Sequence, residues 1–224
     1  RMIERLEIKM LSDNGYKWNG LFDIIKIFEK KISHYTGAPY VTVTDSCTHA
    51  LELALRYEKP NKKVQIPNYT YISVPMTLTK LNIDFEFVEK KWQGYYTLWP
   101  SKVVDMAVRF TKDCYIPGTH SCLSFDVKKV LKINKGGAIL TDDVHAHEYF
   151  QKARHDGRDL SLSSWNNQKE FDIGYHYNLS IEDCARGILL MDELAKFGPI
   201  NKDSVDNCAV TYPNLKTVTL KFTE

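Results

Sequence analysis

Two short apolar runs flank a lysine-rich loop between residues 122 and 143, and this stretch constrains the fold most. The first run covers residues 122–125, and the second covers residues 137–141, next to the pair Gly136-Gly137. Short apolar runs bounded by glycine are typical of buried strands. We therefore predict two buried strands joined by a basic loop, which contains Lys128, Lys129, Lys132 and Lys135.

This lysine-rich loop has two interpretations. Charged residues in a loop are usually solvated, so the loop could be an exposed connection without a chemical role. Alternatively, one lysine points inward and acts as an amine, because a desolvated lysine loses its proton easily and can condense with a carbonyl group. The composition of the loop leaves both interpretations open.

The composition of the whole chain predicts one globular domain with a substantial core, since the 224 residues are 43% hydrophobic and 26% charged. The formal net charge of +2 is too small to favour nucleic acid as a partner. The five cysteines are an odd number without C-x-x-C spacing, which indicates reduced thiols in a cytoplasmic protein. No apolar run reaches the roughly 18–20 residues of a membrane span. We expect Met2 to be the natural start, and the polar segment after it does not resemble a signal peptide.

Strand and helix patterns alternate along the chain. Residues 1–20 give no clear element and are interpreted as an N-terminal arm, and residues 21–224 as one domain. Helical spacing of apolar residues occurs over 21–35, 142–154 and 181–197, and short apolar or β-branched runs predict strands over 40–44, 64–67 and 83–88. The alternation of Val218, Leu220 and Phe222 predicts a further edge strand.

His145 and His147 raise the question of a metal site. They lie two residues apart on a predicted helix. Residues at that spacing point to different faces, so we predict no metal site.

Ser124-Phe125, followed by Lys129 and then by Gly136-Gly137 and Thr141-Asp142-Asp143, resembles the cofactor-bearing segment of a known family. This is the DegT/DnrJ/EryC1/StrS family of sugar-type aminotransferases, which have the pyridoxal phosphate (PLP) fold type I. In that segment the lysine five residues after the serine forms the Schiff base with PLP. The resemblance implies that Lys129, and not a neighbouring lysine, carries the cofactor.

A polar cluster at residues 45–48 opens a predicted helix directly after a strand. Backbone N–H groups at a helix start bind phosphate readily, although an ordinary helix cap would look the same. The cluster is similar to the family's Ser-Gly-Thr-x-Ala-Leu motif, which implies that Ser46, Cys47 and Thr48 hold the cofactor phosphate. Cys47 stands where the family usually has glycine, so we expect a tighter fit. The resemblance also assigns Ser124 to the phosphate.

Two further segments imply contacts with the cofactor ring. Residues 67–71 resemble the family's Pro-x-x-Thr-aromatic segment, which implies that Tyr71 stacks on the pyridine ring; a core or edge tyrosine is the alternative. Residues 103–107 resemble its apolar-Glu-Asp-Ala-Ala segment, which implies that Asp105 keeps the pyridine nitrogen protonated so that the ring accepts electrons. The carboxyl end of a buried strand is where open α/β sheets bind ligands, although Asp105 could instead cap the following loop.

Residues 174–180 resemble the family's Gly-Tyr-x-Tyr-x-Met/Leu-Ser segment. In relatives this segment crosses a two-fold axis, which implies a homodimer in which His176 or Asn178 touches the cofactor phosphate of the other subunit. A loop that simply leads into the next helix is the alternative.

The sequence departs from the family in three places. Val108 stands where relatives have Gln or His beside the phenolic oxygen of the cofactor, and Arg109 is open as a substitute. Relatives have a further strand and helices between the strand at 83–88 and the strand that carries the aspartate. Residues 89–102 are too few for these, since one crossover alone takes about a dozen residues or more. One central strand is therefore either missing or replaced by residues 95–99 in another arrangement. The C-terminal small domain is largely absent. The resemblance thus implies a shortened α/β fold: the three-layer, mixed but mostly parallel sheet of the fold-type-I large domain.

As a function, the resemblance implies a PLP-dependent enzyme that transfers an amino group from a glutamate-like amino acid to a keto sugar nucleotide or a similar small carbonyl compound. The lost small domain and Val108 would also suit a decarboxylation or elimination on a larger or unusual substrate. An inactive scaffold or partner of a full-length relative is a third hypothesis, against which the presence of Lys129 and Asp105 argues. The identity of the acceptor stays open.

Overall fold

The computed structural model describes residues 5–162, 164–197 and 212–219. The helices of these residues are α1 (Leu6–Asp13), α2 (Phe22–Thr36), α3 (Cys47–Glu58), α4 (Ser73–Lys80), α5 (Val144–Ala153) and α6 (Ile181–Phe197). The strands are β1 (Tyr40–Thr44), β2 (Val64–Pro67), β3 (Phe85–Val88), β4 (Tyr96–Thr97), β5 (Val103–Asp105), β6 (His120–Ser124) and β7 (Gly137–Thr141). Short 3-10 helices cover Trp165–Asn167 and Leu215–Thr217.

Five strands form one mixed sheet in the order β1-β7-β6-β5-β4. β5 and β6 are parallel, β7 is antiparallel to both of its neighbours, and β4 is antiparallel to β5. β2 and β3 form a separate parallel pair. The N–H of Gln65 in β2 donates to the carbonyl of Trp99 at 2.7 Å. The residues after β4 therefore connect this pair to the edge of the larger sheet.

Helices cover both faces of the sheet, and β7 shows the resulting three layers. Ala138 and Leu140 belong to a core that includes Phe28 of α2, whereas Ile139 belongs to a core that includes Phe150 of α5. Because successive side chains of a strand point to opposite faces, a strand covered on both sides is apolar throughout, and every residue of β7 is buried. The predicted α/β class with a three-layer arrangement and a mixed sheet is confirmed. The expectation that this sheet is mostly parallel is wrong, because three of the four strand pairings in the five-stranded sheet are antiparallel.

β4 explains how the sheet closes without the strand that the sequence lacks. Its residues Tyr96 and Thr97 pair with Asp105 and Val104 of β5. Only residues 98–102 separate β4 from β5, whereas a crossover between parallel strands takes about a dozen residues or more. The chain must therefore turn back directly, which makes β4 antiparallel. Of the two alternatives drawn from the sequence, the structure has the replacement by residues 95–99.

The expectation that residues 1–20 form no clear element is wrong, because α1 lies within them. Its eight residues would not be stable as an isolated helix. Contacts with α6 hold it instead: Leu11 is fully buried, and Arg186 donates to the Glu7 carboxylate at 2.6 Å. Local periodicity does not reveal contacts of this kind, which explains why the helix was missed.

The predicted strand at the end of the chain is described only in part. Val218 follows the 3-10 helix at Leu215–Thr217 and is not part of a strand. Leu220 and Phe222, the other two residues of that prediction, lie outside the described residues.

His145 and His147 have separate environments on α5. The His145 side chain is exposed, whereas Nδ1 of His147 lies 3.1 Å from the Thr42 hydroxyl. In the described ranges, no group of three His, Cys, Asp or Glu side chains could hold a metal ion. Over the same residues, no helix is both long enough and apolar enough to cross a membrane.

Candidate active site

Lys129 lies in the loop between β6 and β7, where its burial distinguishes it from the other lysines of that loop. Lys129 is partly buried, whereas Lys128, Lys132 and Lys135 are exposed. Its backbone N–H donates to the carbonyl of Asp126 at 2.9 Å, which closes a turn directly after β6. By burial, Lys129 is therefore the lysine of this loop that best fits the second interpretation.

Lys129 interacts electrostatically with both Asp105 and Cys47. Asp105 ends β5 and is 7% exposed. Burial raises the pKa of Asp105, and the N–H of Ala107, the Tyr96 hydroxyl and the positive charge of Lys129 oppose this rise. Burial raises the pKa of the Cys47 thiol well above its ordinary value, and the charge of Lys129 again opposes it. The three side chains thus come together at the carboxyl ends of β5 and β6.

Two donors orient the Asp105 carboxylate. Its Oδ1 accepts from the N–H of Ala107 at 3.0 Å, and its Oδ2 accepts from the Tyr96 hydroxyl at 2.8 Å. The Tyr96 hydroxyl also lies 2.5 Å from Oγ1 of Thr70. Sequence reasoning missed Tyr96 and Thr70. The one signal for Tyr96 was its place in residues 95–99, and its position opposite Asp105 depends on the antiparallel register of β4.

The backbone at the start of α3 packs directly against the backbone at the start of β7. Ser46 caps the helix, and its Oγ accepts from the N–H of His49 at 3.1 Å. A β-carbon on Gly137 would lie only 2.5 Å from the backbone nitrogen of Cys47, so this close approach requires glycine. Gly137 is opposite Ser124 in the sheet register. The positive end of the α3 dipole is therefore next to the end of β6.

Cys47 directs its side chain onto β6. Its Sγ lies 3.7 Å from the carbonyl oxygen of Cys122. With a pKa raised well above the ordinary value by burial, the thiol is neutral. The residue that stands in place of the family's glycine therefore brings no negative charge to the start of α3.

The polar side chains around the α3 start are paired. Oγ1 of Thr48 donates to Oγ of Ser73, the first residue of α4, at 2.9 Å. The Asp45 carboxylate lies 2.5 Å from Nδ1 of His49 and 3.5 Å from Nζ of Lys135. Burial alone would raise the pKa of Asp45, but its bond to His49 and the charge of Lys135 lower it overall. The hydrogen bond to His49 and the charge of Lys135 offset a carboxylate that would otherwise oppose an anion at this helix start.

The other predicted site residues have contacts of their own. Tyr71 is 56% exposed, and its ring lies 6.2 Å from that of Tyr212. His176 is exposed, with Nδ1 3.0 Å from the Asp156 carboxylate. The Oδ1 atom of Asn178 is buried and has no hydrogen-bond partner in the described part of the chain.

The segment that carries His176 and Asn178 packs on its own chain. The N–H of Asp45 donates to the carbonyl of Tyr177 at 2.8 Å. The Tyr177 ring stacks on His49 with ring centroids 3.6 Å apart. Residues 174–180 therefore lie against the start of α3 within one subunit.

Arg109, the candidate substitute for the residue lost at Val108, has a different partner. Its guanidinium carbon lies 5.3 Å from the centroid of the Tyr95 ring. Arg109 therefore packs against an aromatic ring of the chain before β4.

The chain is similar in sequence to known proteins. A sequence model of the DegT/DnrJ/EryC1/StrS aminotransferase family matches residues 7–113 and 116–215. A 3-amino-5-hydroxybenzoate synthase of Amycolatopsis mediterranei (strain S699) is 28% identical over 148 residues, which are 64% of this chain and 38% of that protein.

Solved structures share the fold at low sequence identity. The sugar aminotransferase CalS13 from Micromonospora echinospora has a TM-score of 0.65 and 14% identity over 85% of this chain and 65% of its own. A 3-amino-5-hydroxybenzoic acid synthase has a TM-score of 0.66 and 17% identity over 87% of this chain and 63% of its own. The chain thus spans less than two thirds of the length of these proteins.

Proposed function

Because the chain belongs to the DegT/DnrJ/EryC1/StrS aminotransferase family, we propose that it binds PLP and transfers an amino group from a glutamate-like amino acid to a keto sugar nucleotide or a similar carbonyl compound. The observation that carries this proposal is the position of Lys129, whose charge acts on the buried Asp105 and Cys47 beside the start of α3. An amine, a buried carboxylate and a helix start are the groups that this cofactor requires.

The residues at this edge of the sheet fit the three chemical parts of PLP. Lys129 offers an amine to the aldehyde, and Asp105 offers a carboxylate to the pyridine nitrogen. The start of α3 offers backbone N–H groups that have no partner within the helix, together with the hydroxyl of Ser46. Ser124 adds a partly buried hydroxyl at the end of β6.

When bound, PLP supplies an electron sink for the carbon that loses a proton. Asp105 stabilises the protonated pyridine nitrogen with its negative charge, and its two hydrogen bonds keep the carboxylate from turning away. Nζ of Lys129 accepts the proton of the substrate carbon and returns it later in the reaction. Ser46, Thr48 and the start of α3 hold the phosphate, which keeps the reacting carbon within reach of Lys129.

A decarboxylation or elimination would use the same residues in the same roles. The exposure of Tyr71 supports this second candidate, because an open face suits a larger substrate. Incubation with glutamate separates the two reactions by absorption spectroscopy. Amino transfer converts the bound cofactor to its amine form, whereas a decarboxylase does so poorly.

We also propose a cytoplasmic homodimer in which His176 completes the site of the other subunit. The exposure of His176 supports the dimer, because no described residue covers most of this side chain. The free state of the four described cysteines supports the location. Light scattering tests the dimer: we expect two chains per particle, and a monomer with full activity would contradict it.

The cofactor assignment is tested by absorption spectra with added PLP. We expect the wild type to show a visible band that Lys129→Ala abolishes. Lys128→Ala is the matched control, because it removes an exposed lysine one residue away, and it should keep the band. A wild type that never binds PLP would overturn the proposal and favour the scaffold.

A further inference from the structure

Tyr96 lies between two other buried side chains, Thr70 and Asp105. All three are less than a tenth exposed: Tyr96 by 2%, Thr70 by 1% and Asp105 by 7%. The Tyr96 hydroxyl lies 2.8 Å from Oδ2 of Asp105 and 2.5 Å from Oγ1 of Thr70. Polar groups buried this deeply need hydrogen-bond partners. Here the Tyr96 hydroxyl is the partner of both Thr70 and Asp105.

The charge of Asp105 sets the direction of these hydrogen bonds. An ionised carboxylate only accepts, so the Tyr96 hydroxyl donates to it. A tyrosine hydroxyl has one proton, so Thr70 must donate to Tyr96. Consecutive hydrogen bonds polarise one another, and the chain from Thr70 through Tyr96 therefore strengthens the bond that reaches Asp105.

Few other groups stabilise this carboxylate. Cys47 faces it from α3, Cys122 from β6 and Lys129 from the loop after β6. Burial raises the pKa of both thiols well above the ordinary value, so both are neutral. The charge of Lys129 varies, because a lysine that exchanges protons with a substrate is uncharged for part of the reaction. In that state the Tyr96 hydroxyl and the N–H of Ala107 are the donors that remain.

We propose that Tyr96, supported by Thr70, is a positioning residue that keeps Asp105 ionised and oriented while Lys129 is uncharged. Its importance for catalysis rests on the proposed function, in which Asp105 faces the pyridine nitrogen. β4, the short strand that replaces the missing one, thereby contributes a functional side chain as well as an edge.

The direct test is the pKa of the Asp105 carboxyl, measured by NMR of protein labelled with [γ-13C]aspartate without added cofactor. Asp105→Asn assigns the signal. We expect Tyr96→Phe, which keeps the ring and removes the hydroxyl, to raise this pKa, and Thr70→Val to raise it less. Thr70→Ser retains a hydroxyl and should restore the wild-type value. Tyr95→Phe, a change at the neighbouring and less buried tyrosine, is the matched control and should leave the value unchanged.

A second readout is the dissociation constant of PLP. Loss of one hydrogen bond to a charged group should weaken binding in Tyr96→Phe by about tenfold, and this effect should grow as the pH falls. Should Tyr96→Phe fail to fold, Thr70→Val measured against Thr70→Ser decides the question. The inference is overturned if the pKa of Asp105 is the same as in the wild type in Tyr96→Phe and Thr70→Val, or in whichever of these two variants folds. A wild type that does not bind PLP would instead refute the proposed function, and the Asp105 pKa would still show whether Tyr96 holds this carboxylate.

Discussion

Gly137 and Cys47 are so close that a β-carbon on Gly137 would lie 2.5 Å from the Cys47 backbone nitrogen. This contact sets the first turn of α3 against the first residue of β7, opposite Ser124 in the neighbouring strand. The geometry of the candidate phosphate site therefore depends on the absence of one methyl group. A residue with a side chain at position 137 would force the helix and the strand apart.

We expect Gly137→Ala to lower the free energy of unfolding by about 1–3 kcal/mol, because the added atom overpacks a rigid backbone contact. It should also weaken PLP binding, since the start of α3 must move. Urea unfolding and cofactor titration measure the two effects. Gly20→Ala is the control, because a β-carbon there would meet nothing within 4 Å. Wild-type affinity and stability in Gly137→Ala would show that the contact does not shape the site.

Glu52 should make stability depend on pH. Its buried carboxylate accepts from Arg56 and Lys80, each at 2.8 Å, and from the Tyr177 hydroxyl at 3.0 Å. Burial alone would raise the pKa of Glu52, but the bonds from Lys80 and Arg56 lower it overall. A pKa that is lower in the folded than in the unfolded state adds stability above the unfolded value of about 4.3, and this stability is lost as the pH falls through the folded value.

We therefore expect Glu52→Gln to destabilise the protein by about 1–3 kcal/mol at pH 7. The difference from the wild type should shrink as the pH falls below the unfolded value. Urea unfolding across this pH range measures it. Glu148→Gln, which changes an exposed carboxylate on α5, should have little effect. A Glu52→Gln variant as stable as the wild type at pH 7 would mean that Glu52 does not anchor residues 174–180 to α3.

The described cysteines should be unreactive in the native protein. Burial raises the pKa of Cys47, Cys114, Cys122 and Cys184, and the thiolate is the reactive form. In a Cys208→Ser variant, we expect Ellman's reagent at pH 8 to label none of these thiols rapidly and all four in urea. A single fast thiol at pH 8 that Cys47→Ser removes would indicate an ionised Cys47, contrary to the neutral side chain described above.

The elements that depend on short stretches of sequence could be predicted from the sequence alone. The β-branched and apolar runs predicted β1, β2 and β7 with their observed bounds. This works because a buried strand requires a short run of apolar residues, which is visible in the sequence. The family resemblance, in which the lysine five residues after Ser124 carries the cofactor, singled out Lys129, which is the partly buried lysine of its loop. Its role, like that of the other predicted site residues, stays a prediction.

Features that depend on contacts between distant parts of the chain could not be predicted from the sequence in this way. Tyr96 meets Asp105 because the chain between β4 and β5 is too short for a crossover, and this effect requires the order of strands to be known. α1 depends on contacts with α6, far away in the sequence. The exposure of Tyr71 depends on which elements cover the turn before α4, and its motif does not contain that information.

The central claim is that Lys129 carries the cofactor, and the attachment site measures it most directly. The protein is incubated with PLP, treated with borohydride to make the link to the lysine permanent, digested and analysed by mass spectrometry. We predict a single pyridoxyl group on Lys129. A label on Lys128, Lys132 or Lys135, or no label under conditions that saturate binding, would contradict the account.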